Sequence, residues 1–178
     1  TLVARGPGAV GCAGRAVWLG GAAPGAGSFK DREVFGAGAG NSAGQAATYL
    51  GGFAKTVTIL VRGNTLVGNM SRYLSERIYA SDNIRFRMNA SVTELHGDAE
   101  LDAVSIVDNV TGAVERTPGK AVFCFIGAAP HTDWLKDVVQ LDEHGYILSG
   151  PNLMAPNGKR PEGWLVPRDP YWLETRLA

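Results

Sequence analysis

Gly38-Ala39-Gly40-Asn41-Ser42-Ala43-Gly44 stands between a short strand-like run, Glu33-Val34-Phe35, and an alanine-rich helical run, Gln45-Ala46-Ala47-Thr48-Tyr49-Leu50. A second apolar run, Thr56 to Val61, follows and ends at Arg62. The order is strand, glycine turn, helix, strand, with a cation at the tip. That layout holds a dinucleotide pyrophosphate on a helix N-terminus. Gly38 allows the tight turn out of the strand, and Gly40, without a Cβ, lets backbone N–H groups approach phosphate oxygens. Ala43 and Gly44 are small enough for the helix to pack closely on the sheet. Asn41 and Ser42 are placed to cap the helix or to donate to phosphates. The helix start adds unpaired N–H donors and roughly half a positive charge. A glycine pair alone means little in a chain with 24 Gly; the surrounding order of elements gives the match its weight. Gly36 and Ala37 fall where branched apolar residues are usual, which predicts a short first strand or one with a loose edge.

The second strand distinguishes the nucleotides. An NAD site places an acid at its end to bind the ribose 2′-OH. Here Arg62-Gly63-Asn64 follows, with no Asp or Glu beside it. A guanidinium suits a 2′-phosphate through bidentate, charge-assisted hydrogen bonds, so NADP(H) is expected over NAD(H). Arg72 and Arg77 read first as a solvated helix face.

Asn69 to Ile78 carries Met70, Tyr73, Leu74, Arg77 and Ile78 at helical spacing, which predicts a helix with those residues on one face. Asn83 to Met88 alternates as a third strand does. Ser91–Leu95, Ala103–Asp108 and Ala113–Thr117 read as an antiparallel meander, with Asn109-Val110-Thr111-Gly112 as a hairpin turn. Ala121 to Ile126 is nearly continuous in apolar residues, as a strand covered on both faces is. It breaks at Gly127-Ala128-Ala129-Pro130, and ligands bind at such carboxyl ends of open α/β sheets. Gly127 therefore joins the candidate site. Asp133-Trp134-Leu135 begins a short helical piece, and residues 149–170 are rich in Pro and Gly. Residues 1–30 lack periodicity and read as loop or linker apart from Leu2-Val3-Ala4, which reads as a strand end. The expected fold class is α/β: a Rossmann-like three-layer NAD(P)-binding domain with a parallel sheet plus an antiparallel β-meander. The expected organisation is an irregular segment over 1–32, the nucleotide-binding domain over 33–148 and an irregular segment over 149–178.

The chain has 178 residues, enough for one domain or a domain with an appendage, and its formal net charge is zero. No basic stripe is present, so no nucleic-acid partner is expected. No apolar run reaches transmembrane length, and the first thirty residues lack the pattern of a signal peptide. A cytoplasmic, non-membrane protein is expected. Cys12 and Cys124 form no CxxC, and Cys124 reads as a buried inert thiol. His96, His131 and His144 are dispersed, so no metal site is expected. No catalytic acid, base or nucleophile stands out.

These motifs together resemble the NADPH-binding half of thioredoxin-reductase-like flavoproteins of the pyridine nucleotide-disulphide oxidoreductase superfamily. The resemblance runs from Glu33 to about Thr175. Gly38, Gly40, Ser42 and Ala43 match a GxGxSA motif. Thr58-Ile59-Leu60-Val61-Arg62-Gly63 followed by Met70-Ser71-Arg72-Tyr73-Leu74 is similar to one subgroup. Phe123 to Thr132 resembles the FxFIGxxPxT segment closing the NADPH domain, and Asp142 to Ile147 resembles the stretch leading back toward the FAD domain. Leu2-Val3-Ala4-Arg5-Gly6 resembles an ATG segment, with Arg5 in place of its threonine. Family members carry an FAD domain, and thioredoxin reductases a CxxC upstream of the NADPH glycines. Here the corresponding residues are Gly11-Cys12-Ala13-Gly14, and most of an FAD domain is lacking, so the resemblance does not extend to disulphide reduction by this chain.

What the resemblance implies is the NADPH-binding part of a flavin-dependent oxidoreductase, passing hydride from NADPH to FAD. The cofactors implied are NADPH and FAD, the latter held mostly outside this chain, by an FAD-domain partner or within a homodimer. Two alternatives stay open: a stand-alone or remnant NADP-binding module without turnover, and a fragment that folds poorly.

Overall fold

The computed structural model describes residues 17–19, 26–98, 100–127 and 130–175. The chain divides into two units, Thr1–Gly127 and Ala128–Ala178. In the first, five parallel strands lie in the order β1-β8-β2-β3-β4: β1 (Val17–Leu19), β2 (Glu33–Ala37), β3 (Thr56–Leu60), β4 (Ile84–Arg87) and β8 (Ala121–Cys124). Helices α1 (Asn41–Gly51) and α2 (Arg72–Tyr79) make the crossovers. An antiparallel sheet follows, ordered β5 (Ala90–His96), β6 (Ala103–Asp108) and β7 (Val114–Pro118). The α/β class with a parallel sheet and a meander is the one the sequence predicts.

Side-chain alternation along the strands explains the layering. Val34, Val57, Ile59, Ala121 and Phe123 point into a core shared with Ala43, Ala47 and Leu50 of α1 and Leu74 and Ile78 of α2. Phe35, Leu60, Val122 and Cys124, one residue out of phase, share a second core with Val92, Leu95, Val104 and Ile106 of the meander. Successive strand residues face opposite sides, so a strand covered on both faces favours a nearly continuous apolar run. That is why the Ala121 run is continuous.

Three local expectations need correction. β2 continues through Gly36 and Ala37, which pair with Ile59 and Leu60 on one side and Phe123 and Cys124 on the other. It is the central strand, and ladders on both edges offset glycine's weak strand preference. Residues Val17–Leu19, within the segment read as loop, form an edge strand in register with Val122–Cys124. α2 begins at Arg72, because Ser71 is extended and Asn69 and Met70 close a turn on the Leu66 carbonyl. Only the four-spaced row Met70, Leu74, Ile78 is buried; Tyr73 and Arg77, about 100° around the helix, are exposed. Leu2–Gly6 and Cys12 lie outside the described residues.

In the second unit, 3-10 turns span Asp133–Leu135 and Gly150–Leu153. Asp142 accepts the N–H groups of His144 and Tyr146. Arg168 forms a two-armed pair with Glu174, both arms at 2.6 Å, and the Tyr171 N–H also donates to that carboxylate. These donors hold the Glu174 carboxyl down to about 2.

Candidate functional site

The sheet reverses direction of winding at β2. The chain goes from β2 through α1 to β3 on one side, and β8 returns to the other side. A crevice outside the carboxyl ends of β2 and β8 is where ligands sit in such sheets. Two hydrogen bonds close the strand ends around it. The Gly38 N–H donates to the Leu60 carbonyl at 3.1 Å, and the Phe125 N–H donates to the Ala37 carbonyl at 2.7 Å.

The two glycines have different reasons to be there. Gly38 has φ +147°, and a Cβ would lie 2.5 Å from the Phe125 carbonyl oxygen. Glycine is thus required by the fold itself. Gly40 has φ −86° and a Cβ there would meet nothing nearer than the Asn69 carbonyl oxygen at 3.8 Å. The fold would admit a side chain; the space in front of α1 would not stay open. Gly40 is the N-cap of α1, among the described residues no side chain caps the helix, and the first intrahelical bond is Gly44 N–H to the Gly40 carbonyl. The N–H groups of the first turn therefore remain available to a ligand.

The other candidates divide. Ser42 is exposed beside the uncapped turn. Asn41 does not cap its own helix: its Oδ1 accepts the Ser71 N–H at 2.7 Å, tying the start of α1 to the start of α2. Its amide NH2 is the group left to donate. Ala43 is buried in the helix-side core and Gly44 packs against Met70 and Ile78, so Gly44 serves α1–α2 contact rather than helix–sheet contact. Arg62 is exposed two residues beyond β3, and among the described residues its guanidinium makes no hydrogen bond or ion pair. Arg72 is paired with Glu76 at 2.6 Å, and Arg77 donates to the Tyr73 hydroxyl at 3.3 Å. Gly127 is exposed past the end of β8 at φ +88°, with nothing within 4 Å of a Cβ position. Cys124, at the end of β8, is buried, and burial pushes its thiol up.

Sequence reasoning missed the supports behind Arg62. The Asn109 Nδ2 donates to the Arg62 carbonyl at 2.9 Å, and the Asn89 N–H donates to the Gly63 carbonyl at 2.8 Å. Asn109 is 47 residues away and reads only as a turn residue; Asn89 has φ +52°, which asparagine tolerates better than most residues.

Residues 25–154 match the family model described as pyridine nucleotide-disulphide oxidoreductase. The thioredoxin reductase of Streptomyces clavuligerus is 33% identical over 119 residues, covering 67% of this chain and 36% of that protein. The solved thioredoxin reductase of Lactococcus lactis has a TM-score of 0.72 at 26% identity, covering 83% of this chain and 48% of that one. The T. acidophilum thioredoxin reductase has a TM-score of 0.68 at 31% identity, covering 78% and 45%. The chain thus spans less than half the length of these relatives.

Proposed function

The chain belongs to the pyridine nucleotide-disulphide oxidoreductase family, and from that premise we propose that residues 33–148 are the NADPH-binding part of a flavin-dependent oxidoreductase. The reading rests on one observation above others: a helix start behind Gly38 and Gly40 that no side chain among the described residues caps, with an arginine two residues past the adjacent strand whose guanidinium has no partner among them. The donor set suits the nucleotide. Backbone N–H groups from Asn41 to Ala43 bind the pyrophosphate, helped by the α1 dipole. Asn41 Nδ2 and Ser42 add side-chain donors. The Arg62 guanidinium binds the 2′-phosphate, and Gly127 keeps the β8 side of the crevice free of a side chain. The chemistry the bound nucleotide supplies is a hydride for an FAD held by another domain or a partner chain. The residues named here bind and orient; none is assigned a proton transfer. Residues 1–32 and 149–178 are read as the segments that lead from and to that FAD domain.

The test compares the wild-type chain with Arg62→Ala by titration against NADPH and NADH, with a visible spectrum of each sample. Wild-type preference for NADPH that disappears in the variant supports the reading. Equal loss for both nucleotides rejects the role of Arg62. NADPH binding in a colourless sample means a nucleotide module that needs FAD from elsewhere.

A further inference from the structure

We infer that Asn109, in the hairpin turn between β6 and β7, is the positioning residue that holds Arg62 for the 2′-phosphate and so sets preference for NADPH over NADH. The inference rests on the nucleotide-binding reading above. Arg62 lies two residues past β3, directly after Val61, which is bonded to Arg87 and Ala90 at 2.9 Å each, and Gly63 and Asn64 after it are exposed. A loop of that kind leaves a long side chain free to wander unless its backbone is held. Here it is held from the meander. Asn109 uses its amide NH2 twice, to the Arg62 carbonyl at 2.9 Å and to the Ser91 hydroxyl at 3.0 Å. Its own N–H donates to the Asn89 carbonyl at 2.7 Å, and Asn89 in turn donates to the Gly63 carbonyl at 2.8 Å.

The support is itself stiff. Asp108 Oδ1 accepts the N–H groups of Val110 and Thr111 at 2.9 and 2.8 Å. The Asp108 backbone is bonded to Ala113 and Gly112 at 2.8 Å each. Asn109 is therefore mounted on a closed turn, and what it fixes is the backbone of the residue assigned above to the 2′-phosphate. NADH lacks the phosphate that Arg62 would meet. Releasing Arg62 costs affinity for NADPH and leaves NADH alone.

The experiment measures dissociation constants of NADPH and NADH for the full chain in four forms: wild type, Asn109→Ala, Arg62→Ala and the double variant. Ordering a released Arg62 on binding predicts an NADPH affinity about fivefold weaker in Asn109→Ala, with NADH unchanged. In the Arg62→Ala background the same substitution should leave both constants alone. Asn109→Ser, too short to span its two acceptors, should behave as Asn109→Ala does, and melting curves establish that each variant is folded. Equal weakening of both nucleotides, or the same loss with and without Arg62, overturns the inference and makes Asn109 a structural residue only. If Arg62→Ala itself leaves the nucleotide preference unchanged, or the wild-type chain binds neither nucleotide, the functional reading fails and this inference falls with it.

Discussion

Gly38→Ala and Gly40→Val should fail in opposite ways, although both change a glycine of the same turn. At Gly38 the backbone sits at φ +147°, where an L side chain is strained, at a cost of about 1–3 kcal/mol. The new Cβ would also lie 2.5 Å from the Phe125 carbonyl oxygen. That atom is backbone, fixed by the Phe125 N–H bond to Ala37, and cannot swing aside. Forced overpacking of this kind costs a further 1–3 kcal/mol or so. The mid-range sum, about 4 kcal/mol, is a large part of the roughly 5–15 kcal/mol that holds a domain together. At Gly40 the nearest atom is 3.8 Å away and φ is −86°. Valine is a poorer N-cap than glycine, at a cost of about 1 kcal/mol. Urea unfolding followed by circular dichroism should therefore show a midpoint well below wild type for Gly38→Ala and near wild type for Gly40→Val. Gly40→Val should nonetheless bind no nucleotide, because its side chain occupies the space before the helix start. A Gly38→Ala protein as stable as wild type would refute the steric reasoning. A Gly40→Val protein with unchanged affinity would place the pocket elsewhere.

Three further outcomes are expected. Arg62→Ala should cost NADPH binding about 1.5–3 kcal/mol, roughly ten- to a hundredfold, as loss of charged hydrogen bonds does, with little change for NADH in the same calorimetric series. Native Cys124 should resist iodoacetamide at neutral pH and react only on unfolding, followed by mass spectrometry, because it is buried and its thiol is pushed up; rapid native labelling would contradict its burial. The Arg168–Glu174 pair should be fully formed above the ordinary carboxyl value of 4.5 and lost as pH falls through about 2, since the folded value is depressed; carboxyl carbon shifts of Glu174 that titrate near 4.5 would contradict the pairing.

Much of this architecture is legible because the parallel sheet is covered on both faces. Continuous apolar runs such as Ala121–Cys124 and the Gly38–Gly44 turn between Phe35 and Gln45 are local signals. The meander is legible for the same reason, with Gly112 at φ +75° closing its turn. What escaped is non-local. Gly36 gives no sign of being strand until its neighbours on both sides are known. Val17–Leu19 is too short to stand out from the glycine-rich run around it. Asn41 reads as a helix cap, yet its Oδ1 is taken by Ser71, 30 residues later. Asn109 reads as a turn residue, yet its amide reaches Arg62 across the fold. Side-chain bonds between distant segments leave no spacing in the sequence, whereas periodicity and glycine turns do.

Hydrogen–deuterium exchange of the chain with and without NADPH reports both binding and place, and so tests nucleotide binding at the start of α1 and at Arg62. Slowed exchange is expected at the amides of Gly40 to Ala43 and of Arg62 to Asn64, with weaker protection from NADH at the second segment. Protection confined to other segments, or none at saturating NADPH, would contradict it.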